Sequence, residues 1–259
     1  MKGKGPSGFG WSIVGASFTI LGLTSTTLSS FSVFFVALLK EFGWSRSSTA
    51  GAFSVFWILY GLIGPFAGSL LDRFGPRRVF VLGAGILGVG YGLCSLIDSW
   101  WQFCIFYGVI VGIGAGATGW VPGATVIQNW FKEKRGLAMG ILSAGVGIGM
   151  SVGVPLIQHL IERVGWRMTY RIMAIFIPLV VITAAILVLK MRPQETPSDA
   201  NEDETGDSRV EGALVTNQEW ASRSWTLRQA MVTKPFWILC VTFFFSSLTI
   251  QSTLGHHVA

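Results

Sequence analysis

Charge is what this chain has least of. Of its 259 residues only 12% are Asp, Glu, Lys or Arg, while 51% are hydrophobic. Soluble globular chains average about 25% charged residues, so a water-soluble fold is excluded. The scarcity is also patterned. No charged residue occurs within Trp11–Leu39, Ser47–Leu71, Val79–Ile97, Trp101–Phe131, Gly136–Ile161, Ile172–Leu189 or Pro235–Ala259. A hydrocarbon core of about 30 Å takes about 20 apolar residues in a helix, so each of the seven can cross a bilayer. Lipid offers backbone N–H and C=O groups no partner, so such segments must be helices. The first is too long for a cleavable signal and lacks a small-residue cleavage pattern.

Reactive side chains are equally sparse. The three cysteines, Cys94, Cys104 and Cys240, lie in or beside the apolar segments at no metal-ligand spacing. They read as small apolar packers, with neither a disulfide framework nor a metal cluster behind them. The only histidines are His159, His256 and His257. No acid lies mid-span to orient them, which excludes a hydrolytic triad and a catalytic metal site. Gly83-Ala84-Gly85-Ile86-Leu87-Gly88 spells G-x-G-x-x-G. No strand precedes it and no acid follows about 20 residues on, so a dinucleotide site is excluded too. No enzyme chemistry and no cofactor is expected.

The charges that are present report orientation. With the N-terminus inside, the inner loops hold Lys2, Lys4, Arg73, Arg77, Arg78, Lys132, Lys134, Arg135, Lys190, Arg192, Arg209, Arg223, Arg228 and Lys234. The outer loops hold Lys40, Arg46, Arg163, Arg167 and Arg171. That is 14 against 5 of the 19 Lys and Arg, in keeping with the positive-inside rule. The net charge of +6 is therefore a topology signal and implies no nucleic-acid partner. Trp44, Trp100, Trp101 and Trp166 on the outer side and Trp130 on the inner side suit interfacial belts.

Three parts are expected: a six-helix bundle over 1–191, a polar linker over 192–233 and a seventh span over 234–259. The linker carries Pro193, Pro197 and the acids Glu195, Asp199, Glu202, Asp203, Glu204, Asp207 and Glu211. Such composition cannot bury enough apolar surface to fold alone. Its end, Ser224 to Val232, reads as a short amphipathic helix, and Pro235 opens the seventh span. Six helices, a long inner loop and one further helix make half of a twelve-helix plan, so a second half is expected from elsewhere. Spans three, four and five are dense in glycine, which lets helices approach closely in lipid. Pro65, Pro122, Pro155 and Pro178 lie inside spans and should kink them. A 3+3 internal repeat suits this plan. Gly43-Trp44-Ser45-Arg46 and Gly165-Trp166-Arg167 hint at it.

Two loops carry the informative motifs. The first runs Gly68-Ser69-Leu70-Leu71-Asp72-Arg73-Phe74-Gly75-Pro76-Arg77-Arg78 between spans two and three. It resembles the G-x-L-x-D-R-x-G-R-R signature of the major facilitator superfamily, with Pro76 a variation. The resemblance implies that Asp72 pairs with basic groups and with a helix end of the opposite half, as a latch on one access state. Gly68, Arg73, Gly75, Arg77 and Arg78 complete the latch. The second runs Asn129-Trp130-Phe131-Lys132-Glu133-Lys134-Arg135-Gly136-Leu137-Ala138-Met139-Gly140, with Gly145 beyond. It resembles the signature between helices four and five of monocarboxylate transporters and oxalate/formate antiporters. By that resemblance Lys134 and Arg135 belong to the gating machinery. Gly8-Phe9-Gly10-Trp11, Glu41 to Arg46 and the Thr226 to Ala230 lead-in resemble further segments of these families.

Substrate candidates are neutral, because no span holds a charge. Relatives carry an Arg and an acid on helix eight, which this chain does not reach. The run Thr24-Ser25-Thr26-Thr27-Leu28-Ser29-Ser30 in span one can hydrogen-bond a carboxylate, or its hydroxyls can bond to the helix's own carbonyls. Leu28 would flank a small substrate. Ser29 stands where the animal carriers have a Lys. Trp120, before Pro122, stands where bacterial relatives have Tyr, as a site wall or a packing residue. Gln251, His256 and His257 lie on span seven, and His256 is either a proton shuttle or an interfacial histidine. The resemblance implies a secondary transporter of small monocarboxylates working by alternating access and coupled to protons, in the cytoplasmic (inner) membrane. An oxalate/formate-type exchanger, a seven-helix receptor and a non-transporting subunit are the alternatives.

Overall fold

The structure, a computed structural model, describes residues 8–131, 134–188, 229, 231–242 and 245–246. It divides into two units, Met1–Pro193 and Gln194–Ala259. The first contains six long helices, and no strand occurs among the described residues. They are α1 Gly8–Phe42, α2 Arg46–Phe74, α3 Pro76–Cys94, α4 Trp100–Trp130, α5 Arg135–Val164 and α6 Trp166–Val188. Each is long and apolar enough to cross a membrane. The protein is an all-α, multi-pass integral membrane protein. In the second unit residues 234–242 are helical, and Trp237 Nε1 donates to the carbonyl of Met231 at 2.9 Å. The rest of the expected seventh span, including Gln251, His256 and His257, lies outside the described residues, as does most of the linker and its amphipathic helix.

Local chemistry sets the helix ends. Ser45 caps α2 by accepting from the amide of Ser48 at 3.1 Å. Gln102 Oε1 reaches back to the amides of Asp98 and Ser99, at 2.8 and 3.1 Å, and caps α4. Span three stops at Cys94, short of the expected Ile97, because Ser95 turns back and its hydroxyl donates to Gly92 O at 2.7 Å.

Glycine decides how closely the helices cross. A Cβ on Gly149 of α5 would sit 2.1 Å from the carbonyl oxygen of Gly22 in α1, so the two backbones touch. Gly88 of α3 meets Pro178 and the carbonyl of Ala174 in α6 in the same way. Helix α4 lies between two neighbours. Gly108, Gly112 and Gly116, one turn apart, face α2, while Gly114 faces Leu87 of α3. The apolar interior is one main cluster centred on Phe34, Phe56, Phe80, Leu87 and Tyr107.

Two turns at opposite ends of the unit share one geometry. Gly75 ends α2 at φ 78°, ψ 159°, its amide donating to Leu71 O at 2.9 Å. Gly165 ends α5 at φ 80°, ψ 161°, its amide donating to Ile161 O at 2.9 Å. Asp72-Arg73-Phe74-Gly75-Pro76-Arg77 aligns with Glu162-Arg163-Val164-Gly165-Trp166-Arg167. The same spacing of 90 residues relates Gly88 to Pro178, where α3 and α6 cross. The repeat therefore pairs Gly165 with Gly75, where the sequence hint had paired it with Gly43.

Candidate functional site

Helix α4 is not continuous, and its defects position the site. It begins with an α-helical turn, Trp100–Phe103, passes through π-helical Cys104–Val111, returns to α over Gly112–Thr118 and breaks at Gly119 before Trp120–Trp130. The break follows from Pro122. A proline has no N–H to give to the carbonyl four residues back, and its ring clashes with that carbonyl. Residue 118 is that carbonyl. The chain escapes by extending Gly119 to φ −82°, ψ −153°, and Pro122 then falls in the first turn of a new helix, where no N–H is required. The expected kink at Pro122 is thus a full break, displaced to Gly119.

The broken ends are met by neighbouring helices. Thr24 of α1 lies beside Thr118, with its Oγ1 3.4 Å from the freed carbonyl and 3.3 Å from the Thr118 hydroxyl. Trp120 N–H donates to the Tyr60 hydroxyl of α2 at 3.4 Å. Only glycine fits at 119, because a Cβ there would lie 2.5 Å from that hydroxyl. In the first turn of Trp120–Trp130, Trp120 gives its amide to Tyr60, Pro122 has none and Gly123 gives its amide to Gly119 O at 3.2 Å, which leaves Val121 N–H at the positive end of the helix dipole. It lies near mid-span, where Trp120 and Val121 are 39% and 45% exposed.

The hydroxyl run of α1 radiates to three neighbours. Thr24 faces α4 and donates to Ile20 O at 3.0 Å. Thr26 has one hydroxyl proton, shared between Gly22 O at 3.0 Å and, across the interface, Gly149 O of α5 at the shorter 2.7 Å. Thr27 donates to Leu23 O at 3.1 Å and lies beside Tyr91 of α3. Ser30 turns back onto Thr27 O at 2.9 Å. Thr24 and Thr27 are fully buried, so these hydroxyls act in this conformation as interhelical struts. Ser29 differs. It is half-buried, and its hydroxyl has no hydrogen-bond partner among the described residues. Leu28 is half-buried at the edge of the main cluster. The structure thus brings Thr24 to the α4 break next to Trp120.

The loop candidates gather at one end of the unit. Asp72 and Arg73 are exposed on the last turn of α2, with the Arg73 guanidinium 5.3 Å from the Phe74 ring centroid. Pro76 starts α3, and half-buried Arg77 and exposed Arg78 follow. Among the described residues Asp72 forms no ion pair. Gly68 has open space where a Cβ would be. Lys134 precedes α5 and is exposed, and Arg135 Nη2 reaches the Gln128 carbonyl at 3.5 Å.

Sequence reasoning missed the opposite end. Trp166 Nε1 and Arg167 Nη1 both donate to the carboxylate of Glu41. Arg167 also donates to Ile97 O and to Asp98, each at 3.1 Å. Its guanidinium lies over the Trp166 ring at 4.4 Å. One arginine therefore ties the end of α1, the α3–α4 loop and the start of α6. The only sequence signal was Gly165-Trp166-Arg167, which does not name its partners.

Comparison with known proteins agrees with this architecture. The family model of the Major Facilitator Superfamily matches residues 15–258. The chain is 36% identical over 169 residues to Monocarboxylate transporter 3 of Rattus norvegicus, covering 64% of this chain and 34% of that protein. It is 32% identical over 196 residues to Monocarboxylate transporter 4 of Gallus gallus, covering 75% and 40%. It is 31% identical over 159 residues to the Fujikurins efflux protein of Gibberella fujikuroi, covering 61% and 33%. The chain thus spans about a third to two fifths of the length of these curated relatives. Among solved structures, a mutant of the peptide transporter POT in complex with alafosfalin shares the fold. Its TM-score is 0.58 at 16% identity, over 88% of this chain and 49% of that one. The chain belongs to the Major Facilitator Superfamily.

Proposed function

We propose that this chain is the first half of a secondary transporter that carries small monocarboxylates by alternating access, coupled to protons. The observation that carries the reading is the break of α4 at Gly119. A half-helix N-terminus near mid-span suits an anionic group, as in other transporters built from discontinuous helices. The start of Trp120–Trp130 offers its helix dipole and the Val121 amide, Trp120 an apolar wall, and Ser29 and Leu28 a polar and an apolar contact from α1. Thr24 holds the break in shape. His256 is the candidate proton group, and small organic anion, H+ and lipid are the partners. The names of the two monocarboxylate transporters support the cargo class. The coverage of about half of the solved neighbour supports a second six-helix half.

Asp72 supports the latch. An acid on the last turn of a helix faces the negative end of the dipole. It gains from a partner that the described residues do not supply. The second half would provide it, with Gly68, Arg73, Gly75, Arg77, Arg78, Lys134 and Arg135 shaping the contact. The basic excess on this end supports a cytoplasmic N-terminus in an inner membrane.

Reconstituted full-length protein should take up labelled lactate or pyruvate when the outside is acid, and stop when a protonophore collapses the gradient. Uptake that ignores the gradient but needs internal oxalate or formate would replace symport with exchange. Failure with every monocarboxylate would remove the cargo class. The similarity to an efflux protein favours a second reading, export of the cargo from the cell, which inside-out vesicles would detect.

A further inference from the structure

The chain has 19 phenylalanines and only four tyrosines, yet three of the four are fully buried inside the six-helix unit. Tyr91 of α3, Tyr107 of α4 and Tyr170 of α6 are each 0% exposed. The hydroxyls of Tyr107 and Tyr170 have no hydrogen-bond partner among the described residues, and that of Tyr91 has only Thr27 beside it, short of good hydrogen-bond geometry. Tyr91 and Tyr170 stack with centroids 5.9 Å apart, and Tyr170 stacks on Phe34 of α1 at 3.8 Å. Tyr107 packs on Phe31 of α1, Phe56 of α2 and Phe103 of α4, at 5.2 to 5.4 Å. Thr27 and Cys94 are the other polar neighbours of the group.

Aromatic volume alone does not explain these residues. Phenylalanine would fill the same space and leave no orphan hydroxyl, and this chain uses phenylalanine freely elsewhere. An unpaired buried hydroxyl costs as much as a lost hydrogen bond, and buried polar groups are overwhelmingly paired. Tyr107 also lies in the π-helical stretch Cys104–Val111. Such stretches are rare and recur at functional sites. Thr27 spends its proton on Leu23 O, so its oxygen still has a lone pair to offer.

The geometry points to an internal water site, in which one or more water molecules bridge the hydroxyls of Tyr91, Tyr107 and Tyr170. The required ligand is small and neutral, and both donates and accepts. Water bound to two to four polar groups meets that need. A charged ligand does not, because Thr27 and the three tyrosines offer hydroxyls and no counter-charge. The bridge would join α3, α4 and α6, with Thr27 adding α1. It lies on the side of the unit that Arg167 closes, so water below and ion pairs above would hold that end as one body. The inference is independent of the cargo.

X-ray radiolytic footprinting of the full-length protein in detergent tests it, because bound water generates hydroxyl radicals in place. Tyr91, Tyr107 and Tyr170 should be oxidised several-fold faster than Phe34, Phe56 and Phe80, which are equally buried. Equal protection of all six would overturn the site. Tyr→Phe variants give a second readout. Bridging water predicts that each single variant lowers Tm by about 2–4 °C, and that pairs are non-additive. Unchanged or raised Tm with additive pairs would mean that the hydroxyls have no ligand.

Discussion

Single residues here act through the atoms they lack as much as those they carry. Gly149 is the clearest case, since any side chain there meets the Gly22 carbonyl. Gly147, two residues earlier on α5, has nothing within 4 Å of its would-be Cβ. Gly149→Ala should therefore destabilise by about 1–3 kcal/mol, as overpacked sites do, while Gly147→Ala should be neutral or slightly stabilising. Thermal unfolding of both variants in the same detergent checks the contrast, and similar Tm values would refute it. Arg167 acts by addition. Its partners Glu41 and Asp98 are 40% and 79% exposed at their side chains, so solvent screens the pairs. Arg167→Gln is expected to cost about 1 kcal/mol, the upper range for exposed pairs, and to cost less at high salt.

Among elements, α4 is the one whose irregularity has a chemical cause. Pro122 forces the chain open at Thr118, and Thr24 and Tyr60 meet the two ends. Pro122→Ala removes the cause. Residue 122 then has an amide for the Thr118 carbonyl, and the helix can run through the break. The expected outcome is an unchanged or higher Tm with severalfold slower transport by the full-length protein. Loss of transport together with a large drop in Tm would show instead that the proline merely packs. Helices α2 and α5 are the least buried, with α6 next at 28%. Only 22% of the most apolar stretch of α2 and 17% of that of α5 is buried, against 56% for α1 and α4. Their apolar surface is left for lipid or for the proposed second half.

At the scale of the whole molecule the testable property is orientation. Arg78 near the start of α3 and Asp98 in the α3–α4 loop beyond its other end are both exposed. Arg78→Cys and Asp98→Cys variants, made with Cys240 replaced, should label with an impermeant maleimide from opposite sides. In intact cells Asp98→Cys is expected to react, and Arg78→Cys only after permeabilisation. The reverse pattern would invert the proposed topology. The charge-free runs predicted the six described spans to within a few residues at most ends. The Asp72 turn was legible too, because its residues are neighbours in the chain. The Arg167 cluster was not, because Glu41 and Asp98 reach it from 126 and 69 residues away.

The apolar runs alone determined that this protein lives in a membrane as helices, since a backbone without water must satisfy its own hydrogen bonds. They determined where the helices start and stop, since charges and caps mark the water. Only the tertiary structure decided what the hydroxyls of α1 do. Thr24 meets Thr118 and Thr26 meets Gly149, 94 and 123 residues further on. A helix of this composition offers those groups either its own carbonyls or a neighbour's. Close approach across glycine, which no single segment contains, selects which neighbour is in reach.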